Sequence, residues 1–124
     1  MTENEKMLKE AIEYIPKFVE EMIEGWEMPM ERPNQWSLDR SVELVEWLDE
    51  KRYKPYYISP TVEEGMCFCF KINEYIMHLE IYNDGDVGYI TSSDKKKETY
   101  ENDDVQFSEV MSVVDTFFTK YKEK

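Results

Sequence analysis

Four residues in the middle of the chain have side chains that could do chemistry: Cys67, Cys69, His78 and Glu80. Met66, Phe68 and Phe70 alternate with Cys67, Cys69 and Lys71, and Met77, Leu79 and Ile81 alternate with Ile76, His78 and Glu80. A period of two is the signature of strands. If Asn73-Glu74 is the loop of a hairpin, Ile72 faces Tyr75, Phe70 faces Met77, Cys69 faces His78 and Cys67 faces Glu80. All four polar side chains then leave one face of the sheet, away from Phe68 and Leu79. Cys, His and Glu can ligate zinc, and a Cys69–His78 pair could act as nucleophile and base. The surrounding sequence does not support either chemistry. The Cys-x-x-Cys spacing is absent, as are a nucleophile elbow and a glycine-rich turn, and the chain holds only four glycines. A free Cys also behaves as a small hydrophobe in covered strands. The sequence therefore assigns no catalytic residue, no metal and no cofactor, and a metal-binding or thiol-dependent sensor or enzyme built on Cys67, Cys69 and His78 stays as the alternative reading.

The second constellation is made of carboxylates. Asp39, Glu43, Glu46 and Glu50 follow spacings of four, three and four. On a helix they fall in one narrow arc, where like charges oppose the helix by a few tenths of a kcal/mol each. Trp47 lies beside them as an apolar anchor, so Asp39, Glu43, Glu46, Trp47 and Glu50 form the candidate partner-binding set. Glu10, Glu13, Glu20, Glu21 and Glu24 make a second acidic surface, partly neutralised by Lys6, Lys9 and Lys17. Met22, Met28 and Met30 around Trp26 could form an adaptable apolar surface or fill the core.

These residues need elements to hold them. Thr2-x-x-Glu5 is a capping box ahead of a helical apolar run from Leu8 through Trp26, which Pro16 should kink and Gly25 should end. Residues 27–36, with Pro29 and Pro33, read as a loop. Ser37 is the expected N-cap of a second helix with Leu38, Val42, Val45 and Leu48 on its apolar face, widened by Leu44 and Trp47. Lys51, Arg52 and Lys54 suit its C-terminus, and Pro55 stops it. A short strand at Tyr56–Ile58 is expected to end before Ser59-Pro60. Asp84-Gly85 predicts a two-residue hairpin turn with a positive φ at Asp84, leading into a strand through Tyr89 and Ile90. Residues 92–104 read as a solvated polar loop with room for a short edge strand near Thr99 and Tyr100. Phe107, Val110, Met111, Val114, Phe117, Phe118 and Tyr121 form the stripe of a last helix. The expected fold is one α+β domain over residues 1–124, with N-terminal helices, a three- to four-stranded antiparallel meander and a C-terminal helix packed on the sheet.

Composition narrows the function classes. With 28 acidic against 15 basic side chains, the net charge is −13. Such a chain repels nucleic acid and anionic membranes, so no direct nucleic-acid or membrane partner is expected. Aromatics at 15% favour a packed core despite a mean hydropathy of −0.71. Cys67 and Cys69 are too close along one strand for an ordinary disulfide. The charged, amphipathic start does not read as a signal peptide or membrane span, and a reducing, cytoplasmic setting is expected.

The chain also resembles a group of small, uncharacterised bacterial and phage proteins. The resemblance rests on Trp26 near a loop, the helix from Ser37 to Lys51, Ile58-Ser59-Pro60-Thr61, Glu64-Gly65, and Leu79-Glu80-Ile81 with Asp84-Gly85, across residues 26–91. Cys67 and Cys69 depart from that pattern. The resemblance implies a microbial or mobile-element setting and no activity. The expected function is a non-enzymatic, acidic interaction protein that binds and blocks a protein partner with a basic or nucleic-acid-binding surface. An antitoxin, an immunity protein or a phage-encoded inhibitor of host defence, anti-CRISPR-like, all work this way. A scaffold subunit using apolar surface is a third class, distinguished by salt-insensitive self-association.

Overall fold

The computed structural model describes residues 1–13, 33–61, 65–93 and 98–122. The expectations for Pro16, Lys17, Glu20, Met22, Glu21, Glu24, Gly25, Trp26, Met28, Met30 and the run 94–97 lie outside those residues. Helix α1 covers residues 3–13 and α2 covers Gln35–Lys51. Five strands follow: β1 Tyr57–Thr61, β2 Gly65–Ile72, β3 Tyr75–Tyr82, β4 Val87–Ser93 and β5 Glu98–Val105. Helix α3, Phe107–Lys122, closes the described chain. The strands form one antiparallel sheet in the order β1-β2-β3-β4-β5. Helices therefore pack with an antiparallel meander in an α+β fold, with one more strand than the sequence reading allowed.

Alternation builds the core. Met66, Phe68 and Phe70 from β2 and Met77, Leu79 and Ile81 from β3 are fully buried on one face. Leu44, Val45 and Leu48 of α2 and Val110, Val114, Phe117 and Phe118 of α3 cover them. Leu8 and Ala11 of α1 join the same cluster.

The capping box at the start forms in both directions. Glu5 N–H donates to Thr2 Oγ1 (3.1 Å), and Thr2 N–H donates to Glu5 Oε1 (3.3 Å). Buried Asn4 then fastens α1 to the end of α2, its Nδ2 donating to Asp49 Oδ1 (3.0 Å) and Tyr53 O (2.9 Å). Arg52 ends α2 in a left-handed conformation (φ 60°), and Tyr53 N–H reaches back to Leu48 O (2.9 Å). The Tyr53 ring stacks on Phe118 at 4.1 Å and its hydroxyl donates to Asp115 Oδ1 (2.7 Å), tying α2 to α3.

Several expectations are corrected. The N-cap of α2 is Asn34, not Ser37, so Gln35 and Trp36 belong to the helix and not to the preceding loop. Asn34 Oδ1 accepts from Ser37 N–H (3.0 Å), which places Ser37 at the third helical position. Asn34 also holds the β3–β4 turn, its N–H donating to Asn83 Oδ1 (2.8 Å) and its Nδ2 to Asn83 O (2.9 Å). This anchor rotates the buried face of α2. Ser37 and Ser41 are buried with Leu44, Val45 and Leu48, while Val42 is exposed and Leu38 half-buried. Both serines are satisfied, Ser37 Oγ by Asn83 Oδ1 (2.8 Å) and Ser41 Oγ by Ser37 O (2.8 Å), so their burial is not penalised.

Strand β1 continues through Ser59 and Pro60 to Thr61. It is an edge strand, where a missing N–H is tolerated. The β3–β4 hairpin loop closed by Tyr82 and Asp86 has three residues, 83–85, not two. Tyr82 N–H donates to Asp86 O (2.9 Å), Gly85 N–H donates to Tyr82 O (3.1 Å), and Gly85, not Asp84, takes the positive φ (98°). Asp84 Oδ1 instead accepts from Asp86 N–H (2.9 Å). The short edge strand expected near Thr99 and Tyr100 is longer than the polar loop around it suggested: β5 is eight residues long and pairs to β4 with a register shift between Val87 and Tyr89. Exposed Glu101 and Asp103 suit an outer strand, where charge discourages pairing with another chain.

Candidate protein-binding surface

The β2–β3 register is the one expected from an Asn73-Glu74 loop: Ile72 pairs with Tyr75, Phe70 with Met77, Cys69 with His78 and Cys67 with Glu80. Asn73 makes the tight turn with φ 55°. Alternation sends Cys67, Cys69, His78 and Glu80 to the face opposite the core. Gly88 and Ile90 lie across from Glu80 and His78 on β4, and Glu101 lies across from Ile90 on β5.

This outer face forms a trough of about 670 Å³ between Tyr57, His78 and Tyr82. Four carboxylates line it, those of Glu80, Asp86, Glu101 and Asp103. No Lys or Arg is among its described lining residues. The Tyr82 hydroxyl donates to Glu80 Oε2, fixing both side chains at the floor. Gly88 makes room for another: a Cβ there would lie 3.2 Å from Asp103 Oδ1 and 3.3 Å from Asn102 O. Exposed Ile90 and partly exposed Tyr57 provide apolar contact beside the charges. The Tyr57 ring sits edge-on to His78 with centroids 6.3 Å apart.

The thiols are buried, Cys67 at 7% and Cys69 at 2% exposure. Burial, with the Glu80 carboxylate and Cys69 adding to it, pushes the Cys67 thiol up to about 12. Burial also raises Cys69, opposed by a hydrogen bond from Tyr57 and by Lys71. Burial and the nearby thiols raise Tyr57 to about 12. Burial thus favours the neutral thiol over the thiolate at both cysteines. Among the described residues, no three His, Cys, Asp or Glu side chains converge as a metal-binding group. The expected outcome in solution is that neither cysteine reacts with iodoacetamide near neutral pH until urea unfolds the protein. Rapid native-state alkylation, counted by mass spectrometry, would contradict the burial.

The helical stripe occupies a separate surface. Asp39, Glu43, Glu46 and Glu50 are all exposed on the side of α2 turned away from the sheet. The stripe is not pure carboxylate. Arg40 Nε lies 3.1 Å from Glu43 Oε2, and Gln35 Nε2 donates to Asp39 Oδ1 (2.7 Å). Trp47 is half-buried against the core and edge-on to Tyr53 at 5.7 Å, so only part of its ring faces solvent. On α1, Glu10 and Glu13 are exposed, and Lys9 is 3.9 Å from Glu13.

The trough and the stripe therefore lie on opposite sides of the molecule. Sequence reasoning placed Glu80 on this face but missed Asp86, which the three-residue β3–β4 turn brings to it, and Glu101 and Asp103, which lie on β5 beyond the short edge strand expected near Thr99 and Tyr100. The alternation of Glu101 and Asp103 was the available signal. No described helix is long and apolar enough to cross a membrane. Comparison with known proteins returns no matching family model, no matching curated protein and no matching solved structure.

Proposed function

We propose that this is a non-enzymatic binding protein whose acidic surface occupies and blocks a basic, nucleic-acid-binding face of a protein partner. An antitoxin, an immunity protein or a phage-encoded inhibitor of host defence acts in this manner. The observation that carries the reading is the outer-face trough, where the described residues lining a concave surface flanked by tyrosines include four carboxylates and no Lys or Arg. A basic side chain entering it meets several carboxylates, two of them held by the Tyr82 hydroxyl and the Gly88 gap. The net charge of −13 steers a cationic partner toward the protein from a distance, and the solvated α2 stripe adds to that field.

The test uses immobilised protein and two charge-reversed variants, Glu101→Lys with Asp103→Lys, and the α2 set Asp39, Glu43, Glu46 and Glu50 all changed to Lys. A single partner should be retained at low salt, released at high salt, and lose affinity by about tenfold or more with the trough variant. The partner's own nucleic-acid binding should fall as the complex forms. Retention that ignores salt and both variants would sink the acidic reading. Loss with the α2 variant alone would move the contact from the trough to the helix.

A further inference from the structure

The apolar sides of α1, α2 and α3 all go to the core cluster, on one face of the sheet. On the other face, every described residue lining the trough belongs to a strand or to the β3–β4 connection, and none to a helix. An antiparallel sheet can leave one face to water, and that face is then polar. This one is not uniformly so. It carries Tyr57 and Ile90, both exposed, and half-buried Ile76 beside His78.

Register sorts the face into two rows that cross the strands about 7 Å apart. One row runs through Tyr57, Cys69, His78 and Ile90 and meets a carboxylate only at its β5 end, at Glu101. The other runs through Ser59, Cys67, Glu80 and Gly88, and the space over Gly88 is where Asp103 Oδ1 lies. The first row offers apolar and aromatic contact, and the second offers charge. None of the four carboxylates comes from β1 or β2.

We propose that the partner covers this face with a basic amphipathic helix laid across the strands, an inference that rests on the acidic-trough reading. Its apolar side lies on the Tyr57–Ile90 row, and its Arg or Lys side chains reach Glu80, Glu101 and Asp103. The backbone groups of the sheet are already paired in its ladders, so an extended segment laid on the face would leave its own N–H and C=O groups without partners. A helix satisfies its backbone internally and is the element that covers sheet faces. Crossing five strands takes about 19 Å, or about 13 residues of helix. A second copy of this chain would bring a further net charge of −13 to the same place, so charge complementarity selects a basic partner.

The probe is a peptide of about 18 residues of Leu, Ala and Arg, with Leu and Arg on adjacent sides of the helix. Two controls keep its charge: one spreads Leu and Arg evenly around the helix, and one carries Pro at the centre. Amide chemical shifts follow the intact protein, and circular dichroism follows the peptide. The sided peptide should move the resonances of Tyr57, His78, Ile90 and Glu101 and gain helix as it binds. Both controls should bind about tenfold more weakly. Ile90→Ser, at an exposed position, should weaken the sided peptide about fivefold and leave the spread peptide unchanged. Equal affinity for all three peptides, lost from each with Glu101→Lys plus Asp103→Lys, would overturn the helix and leave the acidic trough standing. Affinity that ignores this charge reversal would overturn both. Shifts confined to α2, or none at millimolar peptide, would remove the helix from this face.

Discussion

Replacing Gly65 by Val is expected to remove roughly 3–5 kcal/mol of stability, enough to unfold a domain of this size under mild denaturant. The reason is geometric. A Cβ at Gly65 would lie 2.1 Å from Ile81 O and 2.9 Å from both Ile81 C and Tyr82 Cα. All three atoms are backbone, so no side chain can rotate away. Gly65 pairs with Tyr82 on one side and Thr61 on the other, at the end of β2. Relief requires β2 and β3 to separate there, which loosens Met66 and Ile81 in the core. Gly65→Ala should lose nearly as much, because the obstruction is to Cβ itself. Urea titration gives the loss, and hydrogen exchange should show the Ile81 and Tyr82 amides opening first. A change under about 1 kcal/mol for the alanine variant would mean that the strands do not approach this closely.

Phe68→Ala is expected to have an effect of similar size, about 3–5 kcal/mol, with a fall in Tm of roughly 10–20 °C. Phe68 is fully buried in β2 and stands across from Ile58 and Leu79. Its ring lies near that of Phe70, with centroids 6.5 Å apart, and Phe70 in turn meets Phe118 of α3. Truncation opens a void that neighbours on three strands and a helix cannot all collapse to fill. Phe68→Leu keeps much of the volume and should lose clearly less. If Phe68→Ala changed stability by less than 1 kcal/mol, the core face of β2 would have to be the one bearing Cys67 and Cys69.

The meander and its register were legible because alternation is a strong constraint. Once Asn73-Glu74 is taken as the loop, every pairing from Phe70–Met77 to Cys67–Glu80 follows, since a slip of one residue would turn the core residues outward. Helix boundaries were less legible because two residues compete for the same role. Asn34 and Ser37 can both cap, and the choice falls to Asn34 because Asn83, 49 residues later, holds its backbone and side chain. The same distant contact decides that Ser37 and Ser41 face inward in place of Leu38 and Val42. Strand β5 was hidden for a related reason. An outer strand made of Glu101, Asn102 and Asp103 has no apolar period to betray it, and its pairing with β4 is a tertiary fact. The acidic trough takes Glu101 and Asp103 from that strand, and Asp86 from a turn whose length the Asp84-Gly85 signal did not fix, so three of its four carboxylates stayed out of view.

The strands lie across the sheet in the same order as they occur along the chain. Every sheet contact is therefore made between consecutive strands, and the two central pairs close through loops of two residues at Asn73-Glu74 and three at Asn83–Gly85. Closing such short loops takes little chain entropy, so hairpins form within microseconds and each one templates the next. The slower events are the distant ones, when Asn4 finds Asp49 and Asn34 finds Asn83. Refolding should accordingly begin in the β2–β3 hairpin and finish as the helices dock, with substitutions at Asn4 or Asn83 speeding unfolding more than they slow folding.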